Sequence, residues 1–276
     1  TMKGFRDLLL LSLALVGAPA CSQACALRTE VVSLSAPVSA LLDELGLLRD
    51  KNLVAVSAFH PLRTKTSARV LGGGLFLATK EWRELRSKVI YYDESRELAE
   101  KLAEEKARHA VKVSTRGIGP FELSQQTLNL LRPQLEGCEV KARSLEEEWK
   151  KLRQELLART AFDRPIYFFL GEWDDERWPE LLMANDGPVR FWRSERKLVT
   201  IESELAYVRW GEKWRRSLAK NALLIGLANS TEAGRFELKR QGRGFTLSSA
   251  EALSPGPAQL RFMRRFVEHY DAQAFF

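Results

Sequence analysis

The chain has 276 residues, 45% of them hydrophobic and 29% charged, and its 43 Lys+Arg against 36 Asp+Glu give a formal net charge of +7. This is the composition of an ordinary globule, long enough for one large domain or two lobes with full-sized cores. The basic residues are interspersed with acids rather than clustered, so the surplus reads as solvated surface and no nucleic-acid partner is expected.

Lys3 and Arg6 precede an apolar run from Leu8 to Val16, interrupted only by Ser12, and small residues follow with two cleavage contexts, Ala18-Pro19-Ala20 and Ala24-Cys25-Ala26. A run of about nine strongly apolar residues is too short to span a bilayer core of about 30 Å, so residues 1–26 read as a secretory signal peptide and the expected location is the periplasm. Cys21 is a candidate lipid-anchor cysteine; simple cleavage after Ala26 is the alternative. In that case Cys21 and Cys25 leave, and Cys138 remains as a lone cysteine, read as a small core residue. The sequence has no CxxC or Cys/His cluster of the zinc-binding kind and no second long apolar run.

From Glu30 short apolar runs alternate with helical patterns, the signature of an α/β chain with mainly parallel sheets. Val31-Ser35, Leu53-Ser57, Lys88-Tyr92, Ala110-Ser114 and Cys138-Lys141 read as strands. Helices are expected at Pro37-Leu45, Thr79-Leu85, Ser95-His109 and Phe121-Leu131. Pro37 suits a first helical turn, where a missing N–H costs nothing, and Gly46 suits the stop. Residues 28–142 are expected to form one lobe.

The most informative element is SLEEEWKKLRQELLART. Ser144 and Glu147 form a capping-box pattern that predicts where the helix begins. Leu145, Trp149, Leu152 and Leu156 then fall on one stripe, with Glu146, Lys150, Arg153 and Gln154 elsewhere. A helix over 143–160 is long enough to bridge two lobes.

A second α/β lobe is expected over 164–276. PIYFFL (Pro165-Leu170) is a fully apolar strand that runs through Gly171-Glu172-Trp173 into a polar loop. Further strands are expected at Val189-Trp192 and Ala222-Leu227, with short ones at Phe236-Leu238 and Gly244-Leu247. Helices are expected at Glu202-Val208, Glu212-Leu218 and Pro257-Tyr270, the last with Leu260, Met263 and Val267 on one face. No repeat at a fixed period of about 20–50 residues is present, which argues against a solenoid.

Three stretches carry a family resemblance. EVVSLSAPVSALLDELGL followed by NLVAVSAFHP, the helix Ser144-Thr160 leading into RPIYFFLGEW, and ALSPGPAQLRFMRRFVEHY together resemble the solute-binding proteins of bacterial ABC importers. The class is the one in which a single long helix joins two α/β lobes and the cargo is cobalamin, haem or a ferric siderophore. The Lys-Pro-Asp stretch usual in that class is absent; EWRELRSKVIYYD and EKWRRSLAKNALLIGL are the nearest pieces. The resemblance implies two lobes, each a small mainly parallel sheet flanked by helices, and a chelate or corrinoid held between them for delivery to an ABC permease. It implies no chemical step, and no cofactor, resident metal or second copy of the chain is expected.

In such a binder the ligand meets loops at the strand ends. First-lobe candidates are Ser35 with Pro37, Ser57, Phe59, His60, the Gly72-Gly73-Gly74 run with Phe76, and Tyr92. In the second lobe they are Glu172, Trp173, Trp192, Tyr207 and Asn229. The aromatic rings would pack on a flat macrocycle, and Arg116 and Arg190 could pair with ligand carboxylates. The resemblance further implies one acidic docking residue for the permease on each lobe, for which Glu81 and Glu202 stand at the openings of corresponding helices. Helix-dipole stabilisation alone also favours Glu there.

Enzyme readings find no GxSxG elbow, HExxH helix or GxxxxGK[ST] loop. LGGGLFLATK lacks the Lys-Ser/Thr close of a phosphate loop, and Asp174, Asp175 and Glu176 cannot all face one point. The alternatives to a transport binder are an exported hydrolase using the pair Ser35 and His60, and a non-transport interaction protein on the same scaffold.

Overall fold

The computed structural model describes residues 24–58, 65–71, 79–170, 181–196, 203, 205–209, 222–228 and 244–273. The first half opens with β1 (Ala26–Leu27), β2 (Val31–Leu34) and α1 (Ala36–Glu44). Then come β3 (Leu53–Ser57), β4 (Arg69–Leu71), α2 (Thr79–Leu85), β5 (Val89–Asp93), α3 (Arg96–Glu104) and β6 (His109–Val113). Helix α4 (Pro120–Leu131), β7 (Leu135–Glu136) and the long α5 (Glu139–Ala158) complete it.

Helix α1 is set by local chemistry at both ends. Ser35 is extended at its N-cap and Pro37 occupies the first turn. Gly46, at φ +75°, donates to Asp43 O at 2.9 Å while Leu47 donates to Leu42 O at 2.7 Å, which closes the helix in a Schellman motif.

The first sheet has the order β4-β3-β2-β5-β6, and every neighbouring pair is parallel. Its central strand VVSL is buried throughout, as a strand covered on both faces must be. Val32, Leu34 and Ile90 face Trp82, Leu85, Leu98 and Leu102 from α2 and α3. Val31, Val56 and Tyr91 face the opposite way, towards α1 and α4. The expected strands at 31–35, 53–57, 88–92 and 110–114 are all present within a residue or two, while β1, β4 and β7 carry no pattern strong enough to have been read.

The second half contains β8 (Ile166–Leu170), β9 (Leu181–Met183), α6 (Gly187–Glu195), β10 (Tyr207–Arg209) and β11 (Leu223–Ala228). It ends with β12 (Gly244–Ser248), α7 (Ser249–Leu253) and α8 (Pro257–Gln273). Its sheet has the order β10-β9-β8-β11-β12, with β8, β11 and β12 parallel and β9 and β10 antiparallel. The protein is thus two α/β lobes joined by α5, the architecture expected.

Three readings are corrected. Helix α5 begins at Glu139, not Ser144, and it absorbs the strand expected at Cys138-Lys141. Ala142 extends the buried stripe of Leu145, Trp149, Leu152 and Leu156 by one turn, so the apolar pattern outweighs a capping box that lies inside the helix. At 20 residues α5 is about 30 Å long. Val189-Trp192 is helix rather than strand: Asp186 caps Gly187 N at 2.8 Å and Pro188 fills the first turn. Short apolar runs do not distinguish the two states by period alone. In place of the helix expected at Glu202-Val208, Tyr207–Arg209 pairs with β9 as a strand. The helix at Glu212-Leu218 and the strand at Phe236-Leu238 lie outside the described residues.

Cys138 is not a lone cysteine. It forms a disulfide with Cys25, 113 residues away, with the two Cα atoms 4.4 Å apart. The antiparallel pairing of Ala26 with Glu136 and Leu27 with Leu135 sets these ends side by side.

The lobes also touch beyond α5. Helix α8 packs on both α1 and α4, and α4 packs on α6, so one apolar cluster runs from the inner face of the first sheet to the second. No helix among the described residues is long and apolar enough to cross a membrane.

Candidate functional site

The first sheet has its topological switch between β2 and β5, because the chain winds outward from β2 through β3 to β4 and then restarts at β5 on the other side. Crevices for ligands form outside the carboxyl ends of strands at such a point. Ser35 and Asp93 meet there. Ala36 N donates to Asp93 Oδ2 at 3.3 Å, while Ser35 Oγ and Asp93 Oδ1 are buried without a hydrogen bond of good geometry. Burial pushes the Asp93 carboxyl above its ordinary range, opposed by the nearby Ser35 hydroxyl and the Ala36 N–H. Asp93 was missed in the sequence because it closes a strand read as ending at Tyr92.

A cavity of about 360 Å³ opens between the lobes. The loop after β6 lines one side with Thr115, Arg116 and Ile118; Asn185, Asp186 and Arg190 line the other. Leu123 and Pro255 supply apolar wall, and Gln259 reaches in from α8. The volume lies at the small end of the range for small-molecule pockets, about 300–1,000 Å³. Its far wall is tightly built: Gly187 has φ +49°, and a Cβ there would meet Ala252 O at 2.9 Å. Gly256 seats the turn before α8 against Pro37, to which an added Cβ would stand at 3.2 Å.

The polar groups in this cavity divide into occupied and free. Arg190 Nε donates to Asn185 O at 3.0 Å, and its Nη1 reaches across to Thr115 O at 3.4 Å and Ile118 O at 3.5 Å. Asp186 accepts from Gly187 N at 2.8 Å through Oδ1 and from the Tyr207 hydroxyl at 3.0 Å through Oδ2. Burial, then the Asp186 charge, pushes the Tyr207 phenol far above its ordinary range. Arg116 is exposed, and its guanidinium makes no ion pair or hydrogen bond with a described side chain; a hydrogen bond from Lys112 first, then the charges of Lys112 and Arg116 and the Arg116 backbone N–H, lower the Glu94 carboxyl below the ordinary range.

The predicted site residues therefore separate. Arg116 and Arg190 line the cavity, and Tyr207 is bonded to a residue that lines it. Ser35 is buried at the base of α1, 1% exposed, which does not suit a hydrolase nucleophile. Ser57 ends β3. Tyr92 packs on the apolar cluster under α2 and α3. Trp192 is corrected outright: it is 3% exposed, with its ring centroid 5.0 Å from Phe191, 5.7 Å from Phe266 and 6.0 Å from Phe168. Once 187–195 is helical, Trp192 faces the core and not the cleft. Glu81 pairs with Arg69, which also reaches Glu84 at 3.4 Å. Phe59, His60, Gly73, Glu172, Trp173, Asn229 and Glu202 lie outside the described residues. Asp186 and Gln259 were missed; Asp-Gly-Pro is a readable cap signal, but the strand reading hid it.

No group of three or more His, Cys, Asp or Glu among the described residues is placed to hold a metal ion.

No protein-family model matches the chain. No curated protein matches it in sequence. Solved structures do match. The periplasmic haem-binding protein HutB of Vibrio cholerae superposes with a TM-score of 0.58 at 14% identity, over 87% of this chain and 97% of that one. The periplasmic vitamin B12-binding protein BtuF of Vibrio cholerae gives 0.59 at 13%, over 86% and 94%. FhuD2 of Staphylococcus aureus with bound ferrioxamine B gives 0.57 at 12%, over 87% and 97%. The chain has the fold of the helix-linked two-lobe solute-binding proteins.

Proposed function

We propose that the chain is an exported solute-binding protein that captures a metal chelate or corrinoid, such as cobalamin, haem or a ferric siderophore, and offers it to an ABC permease. In this reading α5 (Glu139–Ala158) connects a first lobe that precedes it to a second lobe over 164–276. The observation that carries the reading is the cavity where the Thr115–Ile118 loop faces Asn185–Arg190, at the strand ends where a two-lobed binder holds its cargo. The similar structures, which are binding proteins for haem and vitamin B12 and one with bound ferrioxamine B, support the ligand class. The Cys25–Cys138 disulfide supports export, since such bonds persist in oxidising compartments, and it requires that Cys25 stay in the exported protein, so cleavage falls at the Ala18-Pro19-Ala20 context and not after Ala26.

Ligand contact falls to Arg116, Arg190 and Tyr207 among the described candidates, with Phe59, His60 and Trp173 proposed alongside them. Glu81 and Glu202 are the proposed docking acids. For Glu81 this requires a permease arginine to compete with Arg69.

The test is native mass spectrometry and absorbance spectroscopy of protein purified from its own envelope. The expected result is a bound species with a haem, corrinoid or ferric-chelate band. A colourless protein that also takes up none of haemin, cyanocobalamin or ferrioxamine B in titration would sink the reading.

A further inference from the structure

The cavity between the lobes holds two guanidinium groups in opposite situations. Arg190 spends Nη1 on two uncharged backbone carbonyls, Thr115 O and Ile118 O, at 3.4 and 3.5 Å, longer than the usual 2.7–3.2 Å of a good N–H to O bond. Both carbonyls belong to the loop that carries Arg116, whose own guanidinium stands exposed, in the field of Glu94 but without a direct ion pair among the described side chains. The one carboxylate lining the cavity, Asp186, already has both oxygens engaged by Gly187 N and Tyr207. The described lining thus presents two cations against one satisfied anion.

We propose, resting on the chelate-binding reading above, that this cavity takes a guest bearing carboxylate groups. Arg116 is its first receptor, and Arg190 is a latch that the guest draws off the carbonyls of the first lobe. The physical reason is a difference in bond strength: a charge-assisted hydrogen bond to carboxylate is roughly twice as strong as one to a neutral acceptor. The long bonds of Arg190 are the weaker competitors, and they hold the 115–118 loop against α6 until a guest arrives. A carboxylate between Arg116 and Arg190 replaces a direct cross-lobe bond with one made through the ligand. A guest without a carboxylate can offer Arg116 and Arg190 only the weaker bonds of neutral acceptors, so it is disfavoured.

The test titrates the purified full chain with three probes and follows tryptophan quenching. The probes are haemin, its dimethyl ester with both carboxylates masked, and cyanocobalamin, which bears side-chain amides and one phosphodiester but no carboxylate. Haemin is expected to bind about ten-fold or more tightly than the diester, the scale of one charged hydrogen bond. Arg116→Gln is expected to abolish most of that difference with an unchanged circular dichroism spectrum. Arg190→Gln is expected to weaken haemin binding and to speed amide exchange at 115–118 in the free protein. Equal affinity for haemin and its ester, or tighter binding of cyanocobalamin, overturns the inference and leaves the chelate-binding reading standing. Unchanged exchange in Arg190→Gln overturns the latch. Failure of all three probes and of ferrioxamine B to bind overturns the underlying reading, and this one with it.

Discussion

Arg261 in the last helix donates through Nη1 to Asp43 Oδ2 at 3.0 Å, tying the C-terminal segment to the end of the first helix. The same nitrogen reaches Glu44 Oε1 at 2.9 Å, and Glu251 stands 3.4 Å from Nε. One half-buried cation thus answers three acids drawn from both halves of the chain.

Removing that cation leaves Asp43 and Glu44 desolvated without their partner. Arg261→Ala is expected to cost about 1–3 kcal/mol at neutral pH, less than a fully buried pair because water still reaches the cluster. Burial holds the Glu44 carboxyl above its ordinary value of 4.5, against the pull of Arg261 and Arg264. A carboxyl with a raised folded pKa disfavours the folded state once it ionises, and that cost disappears as pH falls through the folded value. Without Arg261 the value rises further, so the deficit should shrink between pH 7 and about 5. Urea melts at the two pH values measure it. An equal deficit at both removes Glu44 from the account.

The disulfide closes a loop across most of the first lobe, with a sequence separation of 113. Reduction, or the double change Cys25→Ser with Cys138→Ser, is expected to destabilise the protein by about 2–5 kcal/mol. Guanidinium melts with and without reductant give the comparison. Coincident midpoints would mean that Cys25 and Cys138 are not joined in solution.

Which of these features could be read in advance depends on how far apart their causes lie in the chain. Ser35, Pro37 and Gly46 announce α1 because capping and stopping are settled within a turn, and the parallel strands announce themselves by burial on both faces. The Cys25–Cys138 bond follows from the pairing of two-residue strands, too short to leave a periodic trace. Trp192 went to the cleft on the expectation of a strand; a helical period puts it among Phe168, Phe191 and Phe266. Arg190 was read as a partner for ligand carboxylates; that it lines the cavity and bonds Thr115 O and Ile118 O depends on lobe packing that no local pattern records.

The Trp192 correction has a measurable consequence. Trp192→Ala is expected to cost about 3–5 kcal/mol, as for other large-to-small changes in a core. Affinity for any chelate the folded protein binds should stay within about two-fold, because the ring does not line the cavity. A variant that folds with wild-type stability yet loses binding would return Trp192 to the cleft.

The far end of α5 is held by one side chain. Arg196 is 6% exposed and pairs with Asp163; its Nη2 lies 2.7 Å from Leu156 O, 2.7 Å from Leu157 O and 2.8 Å from Arg159 O. The last carbonyls of a helix have no partner within it, and a cation there also meets the negative end of the helix dipole. Arg196→Ala should therefore destabilise the protein by about 1–3 kcal/mol, leaving those carbonyls without a protein partner in a site only partly open to water. Arg196→Lys keeps the charge but not the planar fork, so it should recover under half of the loss. Thermal melts of both variants decide the matter: full rescue by Lys would show that charge alone, and not the geometry of the three-carbonyl cap, secures the helix that joins the lobes.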